Sequence, residues 1–272
     1  MDLGQDEQTL INVLTRRTSG DALSALMLAL RADAPVVGLM QTAIGFDSSS
    51  FLRLGSHRKS EDILDYLRSQ HLAPLVLPGQ AIQEFWNNQL QAVETIATKV
   101  KGKFDAFQSE LKRAEPFFES YAEKIDELLE EFRTQHGHIY DEATIRKTGT
   151  VLDLLKQRAI VSYAPRLQLA EVAAYRKRTK TPPGFKDDGD GDFFIWADFL
   201  TGLQMARARG DRFSRAVLVT RDVKLDWSRS GIAHPILSAE IKALLDIPFE
   251  IWGEDKLASE IDRALAGGNA PP

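Results

Sequence analysis

The stretch Ala216-Val-Leu-Val-Thr220, followed directly by Arg221-Asp222, decides the fold because it is the clearest strand signal in the chain. It is apolar and rich in β-branched side chains, which is typical of a strand buried on both faces. Three similar short runs occur elsewhere, at Thr42-Ala-Ile-Gly-Phe46, Ala73-Pro-Leu-Val-Leu77 and Pro248-Phe-Glu-Ile-Trp252. Val36-Val-Gly-Leu39 competes with the first of them. Helical patterns alternate with these runs, so the sequence predicts an α/β fold in which helices flank a parallel sheet.

A long helical region separates the second predicted strand from the later ones. From Ile82 to Leu111, apolar residues recur every three or four positions, as one face of a helix requires. Pro116 interrupts the pattern, and a second helical run follows from Phe117 to Phe132. Because strand signals resume afterwards, we predict a long helical hairpin inserted into the α/β domain. An independent helical domain is the alternative.

The order of predicted strands and helices indicates one main domain. We predict an N-terminal helical segment at residues 1–35 and an α/β domain at residues 36–266. The helical insertion occupies about residues 86–160 of that domain, and residues 267–272 form a disordered tail.

Composition narrows the class of protein. The chain has 272 residues, of which 43% are hydrophobic and 27% charged, enough to bury a sizeable core. It contains no cysteine, which excludes disulfides, thiolate zinc sites and a cysteine nucleophile. An acidic start and the lack of a long apolar stretch lead us to expect a cytoplasmic protein with no membrane partner. The net charge of -5 argues against broad coating of nucleic acid but permits a local basic patch.

Four acidic residues stand where predicted strands end or helices begin: Asp47, Glu84, Asp192 and Asp222. Open parallel sheets bind ligands at the carboxyl ends of their strands, so we expect the four carboxylates to converge there. Neighbouring carboxylates repel one another, and a cation relieves that repulsion. Hard oxygen ligands suit Mg²⁺ or Mn²⁺ rather than zinc. Two such ions can activate a water molecule and stabilise the leaving oxygen of a phosphodiester.

Each of these acids taken alone also has a structural interpretation. Asp192 is a candidate helix N-cap, and Asp47 and Asp222 are candidate turn residues. Glu84 could lie on a helix surface, although its neighbours Ile82 and Phe85 argue against full exposure. The joint pattern favours the functional interpretation.

Five motifs resemble those of the PIN-like nucleases, in the branch with a long helical insertion between the second and third acidic motifs. They are Phe46-Asp47-Ser-Ser-Ser-Phe-Leu52, Leu77-Pro-Gly-Gln-Ala-Ile-Gln-Glu84-Phe85, Pro182-Pro-Gly-Phe-Lys-Asp187, Gly191-Asp192-Phe-Phe-Ile-Trp196 and Val219-Thr-Arg-Asp222-Val-Lys-Leu-Asp226-Trp227. The resemblance spans about residues 40–252. Its last two motifs are the most specific, because they rarely occur together by chance.

The resemblance implies catalytic, metal-binding roles for the four acids, Asp47, Glu84, Asp192 and Asp222. Asp226 and Asp187 would be additional or supporting ligands. Thr220 corresponds to the small hydroxyl residue that precedes the last acid. The implied activity is Mg²⁺- or Mn²⁺-dependent endonucleolytic hydrolysis, of RNA more often than DNA. Toxin–antitoxin and phage-defence systems are common settings for this family.

One motif departs from the family pattern, which usually has Asp-Thr-Asn where this chain has Asp47-Ser48-Ser49. The orienting amide is absent, so the alternative is a catalytically weakened PIN-like module that binds RNA or a partner protein. Ser49 also counts against a haloacid-dehalogenase-like phosphatase, whose motif requires a second aspartate at that position.

Substrate contacts are expected from residues near the motifs. Arg176 and Lys186 flank the Pro182-Pro-Gly loop and are predicted to contact phosphates, with Ser49 and Thr220 as further candidates. A second basic group, at Arg207, Arg209, Arg212 and Arg215, is equally consistent with a solvated surface. We expect the helical insertion at about residues 86–160, called the helical arm below, to bind either a second copy of this chain or a regulatory protein. His136 and His138 are interpreted as an exposed turn, since no further metal ligands are nearby.

Overall fold

The computed structural model describes residues 4–16, 21–31, 37–87, 142–186, 188–221 and 224–267, with isolated positions between 103 and 128. The helices are α1 Gln5–Leu14, α2 Ala22–Arg31, α3 Ser48–Ser56, α4 Ser60–Ser69, α5 79–87, α6 Glu142–Arg158, α7 Arg166–Arg178, α8 Gly191–Ala208, α9 Pro235–Leu245 and α10 Glu254–Gly267. The strands are β1 Thr42–Phe46, β2 Leu75–Pro78, β3 Ala159–Ser162, β4 Arg215–Val219, β5 Ser228–Arg229, β6 Ile232–Ala233 and β7 Phe249–Trp252. Leu39–Gln41 forms a 3-10 turn before β1.

Five of these strands form one parallel sheet in the order β3-β2-β1-β4-β7. At its centre, Ile44 of β1 lies opposite Leu75 of β2 and Val217 of β4. Every residue of β1 and β4 is buried, which explains why these strands are continuous apolar runs in the sequence. The predicted α/β fold with a parallel sheet is therefore confirmed.

Helices cover both faces of the sheet and divide the core in two. On one face, Trp196 and Phe199 of α8 pack with residues of α1 and α9. On the other, Phe46 packs with α3, α4, α6 and α10. Gly45 allows α8 to approach β1 closely, since an added Cβ would lie 2.4 Å from the Phe199 ring.

The element predictions differ from the structure mainly around β3. The patterns at 42–46, 73–77, 216–220 and 248–252 mark β1, β2, β4 and β7 to within two residues. Strand β3 was not predicted, because it follows α6 without a break and has only four residues. Its place in the sheet comes from pairing with β2, where Val76 lies opposite Ile160.

The predicted helical insertion falls largely on residues 88–141, most of which lie outside the described part of the chain, so the hairpin stays a prediction. Helix α6, at the predicted end of the insertion, packs against α3 and places Val151, Leu154 and Leu155 in the core that contains Phe46. The N-terminal helices also join the domain, since α1 and α2 pack against α9.

The predicted tail, residues 267–272, lies mostly outside the described part of the chain. Within that part, no helix combines the length and apolar character needed to cross a bilayer.

Candidate active site

Asp47 lies at the carboxyl end of β1 and caps the first turn of α3. The backbone of Asp47 is extended, and its side chain points toward the start of α3, where Oδ1 accepts the Ser48 N–H at 2.6 Å. Its Oδ2 accepts two hydroxyl hydrogen bonds, from Thr220 at 2.7 Å and from Ser49 at 2.8 Å. Thr220 follows β4, the strand beside β1. Donors from two adjacent strand ends therefore fix this buried carboxylate.

Glu84 reaches the same place from α5, the helix that follows β2. The Ser48 hydroxyl lies between the two acids, 3.2 Å from Asp47 Oδ1 and 3.3 Å from Glu84 Oε2. Gln80, one helical turn earlier, donates to Glu84 Oε1 at 3.3 Å. Burial, reinforced by the negative charge of Asp47, raises the pKa of Glu84. The structure thus brings two of the four predicted acids into one pocket.

Asp192 lies beside this pocket, in the first turn of α8. An added Cβ at Gly191 would lie only 2.3 Å from Glu84 Oε1, which shows how closely the start of α8 approaches Glu84. The Asp192 carboxylate accepts the Trp227 Nε1–H at 3.0 Å and lies 3.5 Å from Lys224 Nζ. Within the described ranges, no three acidic or histidine side chains form a group that could hold a metal ion.

Asp222 and Asp187 lie outside the described residues. The neighbours of Asp222 do place the end of β4 at the pocket, since Thr220 binds Asp47 and the Arg221 N–H donates to Ser49 Oγ at 3.1 Å. The predicted roles of Asp222 and Asp187 as ligands therefore stay predictions.

Asp226 is fully buried and supports the loop that precedes α8. Its Oδ2 accepts the Gly184 N–H at 3.0 Å, while Oδ1 has no hydrogen-bond partner among the residues described. Gly184 in turn lies against Asp192, because its added Cβ would be 3.1 Å from the Asp192 Cβ. Asp226 thus holds the Pro182-Pro-Gly loop against the start of α8. A ligand role for it remains a prediction.

The predicted phosphate contact of Arg176 is wrong. Arg176 is only 2% exposed, and its guanidinium forms an ion pair with Glu240 at 2.6 Å. Trp196 also donates to Glu240, which places this pair behind the site rather than in it. The signal was present in the sequence, since Arg176 shares the inward face of α7 with Leu169 and Val172.

The remaining predicted contacts lie at the surface or in the pocket. Lys186 is exposed in the loop before α8, as are Arg178 and Lys180 at the end of α7. Ser49 and Thr220 both bind Asp47, so they act first as supports of the carboxylate. Ser49 occupies the motif position where the family usually has an amide, and here its hydroxyl donates to Asp47.

Sequence reasoning missed Asp198, a fully buried carboxylate in α8. It accepts the backbone N–H groups of Gln80 at 2.8 Å and Ala164 at 2.7 Å, and both guanidinium nitrogens of Arg166. It therefore ties the start of α5, which carries Glu84, to the end of β3. An acid within the apolar run Phe193–Leu203 was the available signal, because a buried charge requires partners.

Fold and site together define an α/β protein with an acidic pocket at the carboxyl edge of a parallel sheet. A family model described as a PIN-like domain matches residues 43–237, well over half of the chain. The chain belongs to the PIN-like domain family. Domains of this family are commonly nucleases, which typically use divalent metal ions. No curated protein and no solved structure matches the chain.

Proposed function

We propose that this protein is a Mg²⁺- or Mn²⁺-dependent endonuclease that hydrolyses phosphodiester bonds, with RNA as its preferred substrate. One observation carries the proposal: Asp47 and Glu84 share a pocket at the carboxyl edge of the sheet, linked by the Ser48 hydroxyl. Asp192 lies alongside them, directly after Gly191, whose added Cβ would meet Glu84, and its carboxylate accepts the Trp227 Nε1–H. This is the edge where open parallel sheets bind ligands.

The donor set of the pocket fits a hard divalent cation. It offers carboxylate oxygens, without cysteine anywhere in the chain. The raised pKa of Glu84 reflects the cost of a second negative charge beside Asp47 in a buried place, and a cation offsets that cost. Asp47 and Glu84 would hold the ion, and Asp192 and Asp222 would have to complete its ligand set, since the described acids do not by themselves form a group of three around one point. When bound, the metal supplies Lewis-acid stabilisation of a phosphate oxygen and a more acidic water.

The residues of the chain orient the acids and bring the phosphate to them. Ser49 and Thr220 fix Asp47 Oδ2, so the direction of the carboxylate is set before substrate binds. The amino terminus of α8 contributes partial positive charge close to the pocket. The exposed Arg178, Lys180 and Lys186 then supply backbone-phosphate contacts near the entry to α8.

The finer parts of the proposal extend the sequence resemblance. They are the preference for RNA over DNA, a cytoplasmic toxin–antitoxin or phage-defence setting, and a regulatory or oligomeric role for the helical arm at about residues 86–160. The serine at position 49 favours a second candidate, a weakened module that binds RNA without cutting it, because it removes the usual amide from the first motif.

Cleavage assays separate these two functions. Purified protein is incubated with labelled single-stranded RNA or DNA, in Mn²⁺ or in chelator. We expect cleavage in Mn²⁺ only, with RNA cut faster, and loss of cleavage in Asp47→Asn and Asp222→Asn. The control is Asp153→Asn, which removes an exposed carboxylate of α6. Retained activity in either site variant would reject the assignment of that acid, and RNA binding without cleavage would support the second candidate.

A further inference from the structure

We propose that Tyr163 stacks against a nucleobase and holds single-stranded nucleic acid beside the acidic pocket. The inference rests on the proposed nuclease function and names the substrate class of that same site. Tyr163 is the first residue after β3, so it lies at the same edge of the parallel sheet as Asp47. Tyr163 is 63% exposed, which is unusual for a large aromatic residue that directly follows a strand of the sheet.

The ring of Tyr163 packs directly against Gly79. An added Cβ at Gly79 would lie 2.0 Å from Tyr163 Cε1 and 2.3 Å from Cδ1. Any side chain at the first position of α5 would therefore displace the ring. The absence of a side chain at Gly79 lets Tyr163 lie directly against the helix backbone.

The backbone around Tyr163 is held on both sides. The hydroxyl of Ser162 donates to the Asp198 carbonyl at 2.7 Å, and the N–H of Ala164 donates to Asp198 Oδ1 at 2.7 Å. Both partners belong to α8, the helix whose first turn carries Asp192. The aromatic ring is thus exposed on a fixed support, which lowers the entropy lost when a ligand stacks on it.

A short, continuous path joins this ring to the pocket. Gln80 follows Gly79 directly and donates to Glu84 Oε1 at 3.3 Å. Gly79 and Glu84 are five residues apart on α5, roughly 7.5 Å along a helix axis. A strand with a phosphate at the acids therefore passes near Tyr163 with a neighbouring nucleotide.

The chemistry of the ring selects single strands. Every nucleobase has a π-face that stacks on an aromatic side chain, so this contact tolerates any sequence. In a duplex those faces are already stacked on neighbouring bases, whereas unpaired bases can turn toward the protein. Tyr163 therefore favours an unpaired segment of RNA or DNA and leaves the choice of sequence open.

Binding measured in chelator tests this inference separately from cleavage. A fluorescent single-stranded RNA and an abasic strand of equal length are titrated with the wild type, Tyr163→Ala and Tyr163→Phe. We expect Tyr163→Ala to weaken binding of the RNA about tenfold, equivalent to about 1.4 kcal/mol, and to leave the abasic strand unchanged. Tyr163→Phe keeps the ring and should bind like the wild type. The matched control, Leu72→Ala, removes a 74% exposed apolar side chain before β2, at the opposite edge of the sheet.

The outcomes distinguish this inference from the proposed function. Equal affinity of wild type and Tyr163→Ala for the RNA, or equal weakening toward both strands, overturns the stacking role. Base-dependent binding through Tyr163 in a protein that cuts nothing in Mn²⁺ would support stacking and refute the nuclease. Circular dichroism verifies folding of each variant. Should Tyr163→Ala fail to fold, Gly79→Ala displaces the ring instead and must weaken RNA binding selectively, or the inference fails.

Discussion

Replacing Asp198 by asparagine tests whether one buried carboxylate organises the acidic pocket. Its two oxygens accept four hydrogen bonds, from Gln80 N, Ala164 N and the two guanidinium nitrogens of Arg166. Asparagine keeps one oxygen and presents an NH₂ group to donors that need an acceptor. A hydrogen bond to a charged group contributes about 1.5–3 kcal/mol, and breaking a buried ion pair costs about 3–5 kcal/mol. Because Arg166 is one-third exposed, we expect the lower value, a loss of about 3 kcal/mol.

Urea unfolding followed by tryptophan fluorescence measures this loss. Asp153→Asn, an exposed substitution, is the control and should change the free energy of unfolding by less than about 0.5 kcal/mol. Asp198→Asn should also lower any cleavage activity, since Gln80 N anchors the start of the helix that carries Glu84. A loss below about 1 kcal/mol would refute the reasoning, because it would mean that the four donors find other partners.

Two further predictions concern pH and the pocket wall. Burial lowers the pKa of His71 to about 4, below its unfolded value of 6.5, so acid protonates the unfolded state first. Stability should therefore fall as pH drops from about 6.5 toward 4, and His71→Leu should remove about 2 kcal/mol of the loss measured by urea unfolding between pH 8 and pH 5. Gly191→Ala places a Cβ 2.3 Å from Glu84 Oε1, so it should reduce cleavage with little change in melting temperature. Gly189→Ala meets no atom closer than 3.9 Å and should cleave like the wild type; equal loss in both variants would contradict the steric explanation.

Much of the fold was predictable because the central strands are buried on both faces. β1 and β4 have no solvent-facing side, so their sequences are continuous apolar runs that stand out from the helical patterns. β3 carries less of this signal, since Val161 is 39% exposed and the strand continues from α6 without a turn. Only its pairing with β2, a contact between distant parts of the chain, identifies it as a strand.

The candidate site was predictable where a residue stands next to a strand end. Asp47 directly follows β1, Glu84 lies on α5, the helix that follows β2, and the parallel sheet brings the two acids together. Arg176 was misassigned because proximity in sequence to the Pro182-Pro-Gly loop says nothing about which face of α7 it occupies. Its partner Glu240 lies 64 positions away, and no local pattern reveals that pairing.

The strand order explains why the pocket forms between β1 and β4. From β1 the chain builds outward through β2 and β3, then returns to place β4 on the other side of β1. The connections leave in opposite directions at this point, which opens a crevice at the carboxyl ends of the two strands. Asp47 and Thr220 stand on its two sides and bind each other across it. Glu84 enters from α5 into a place where burial and Asp47 oppose its charge. The pocket thus contains the Asp47 carboxylate, which hydrogen-bond donors stabilise, and the Glu84 carboxylate, whose negative charge is disfavoured by its surroundings. A bound divalent cation would offset that unfavourable charge.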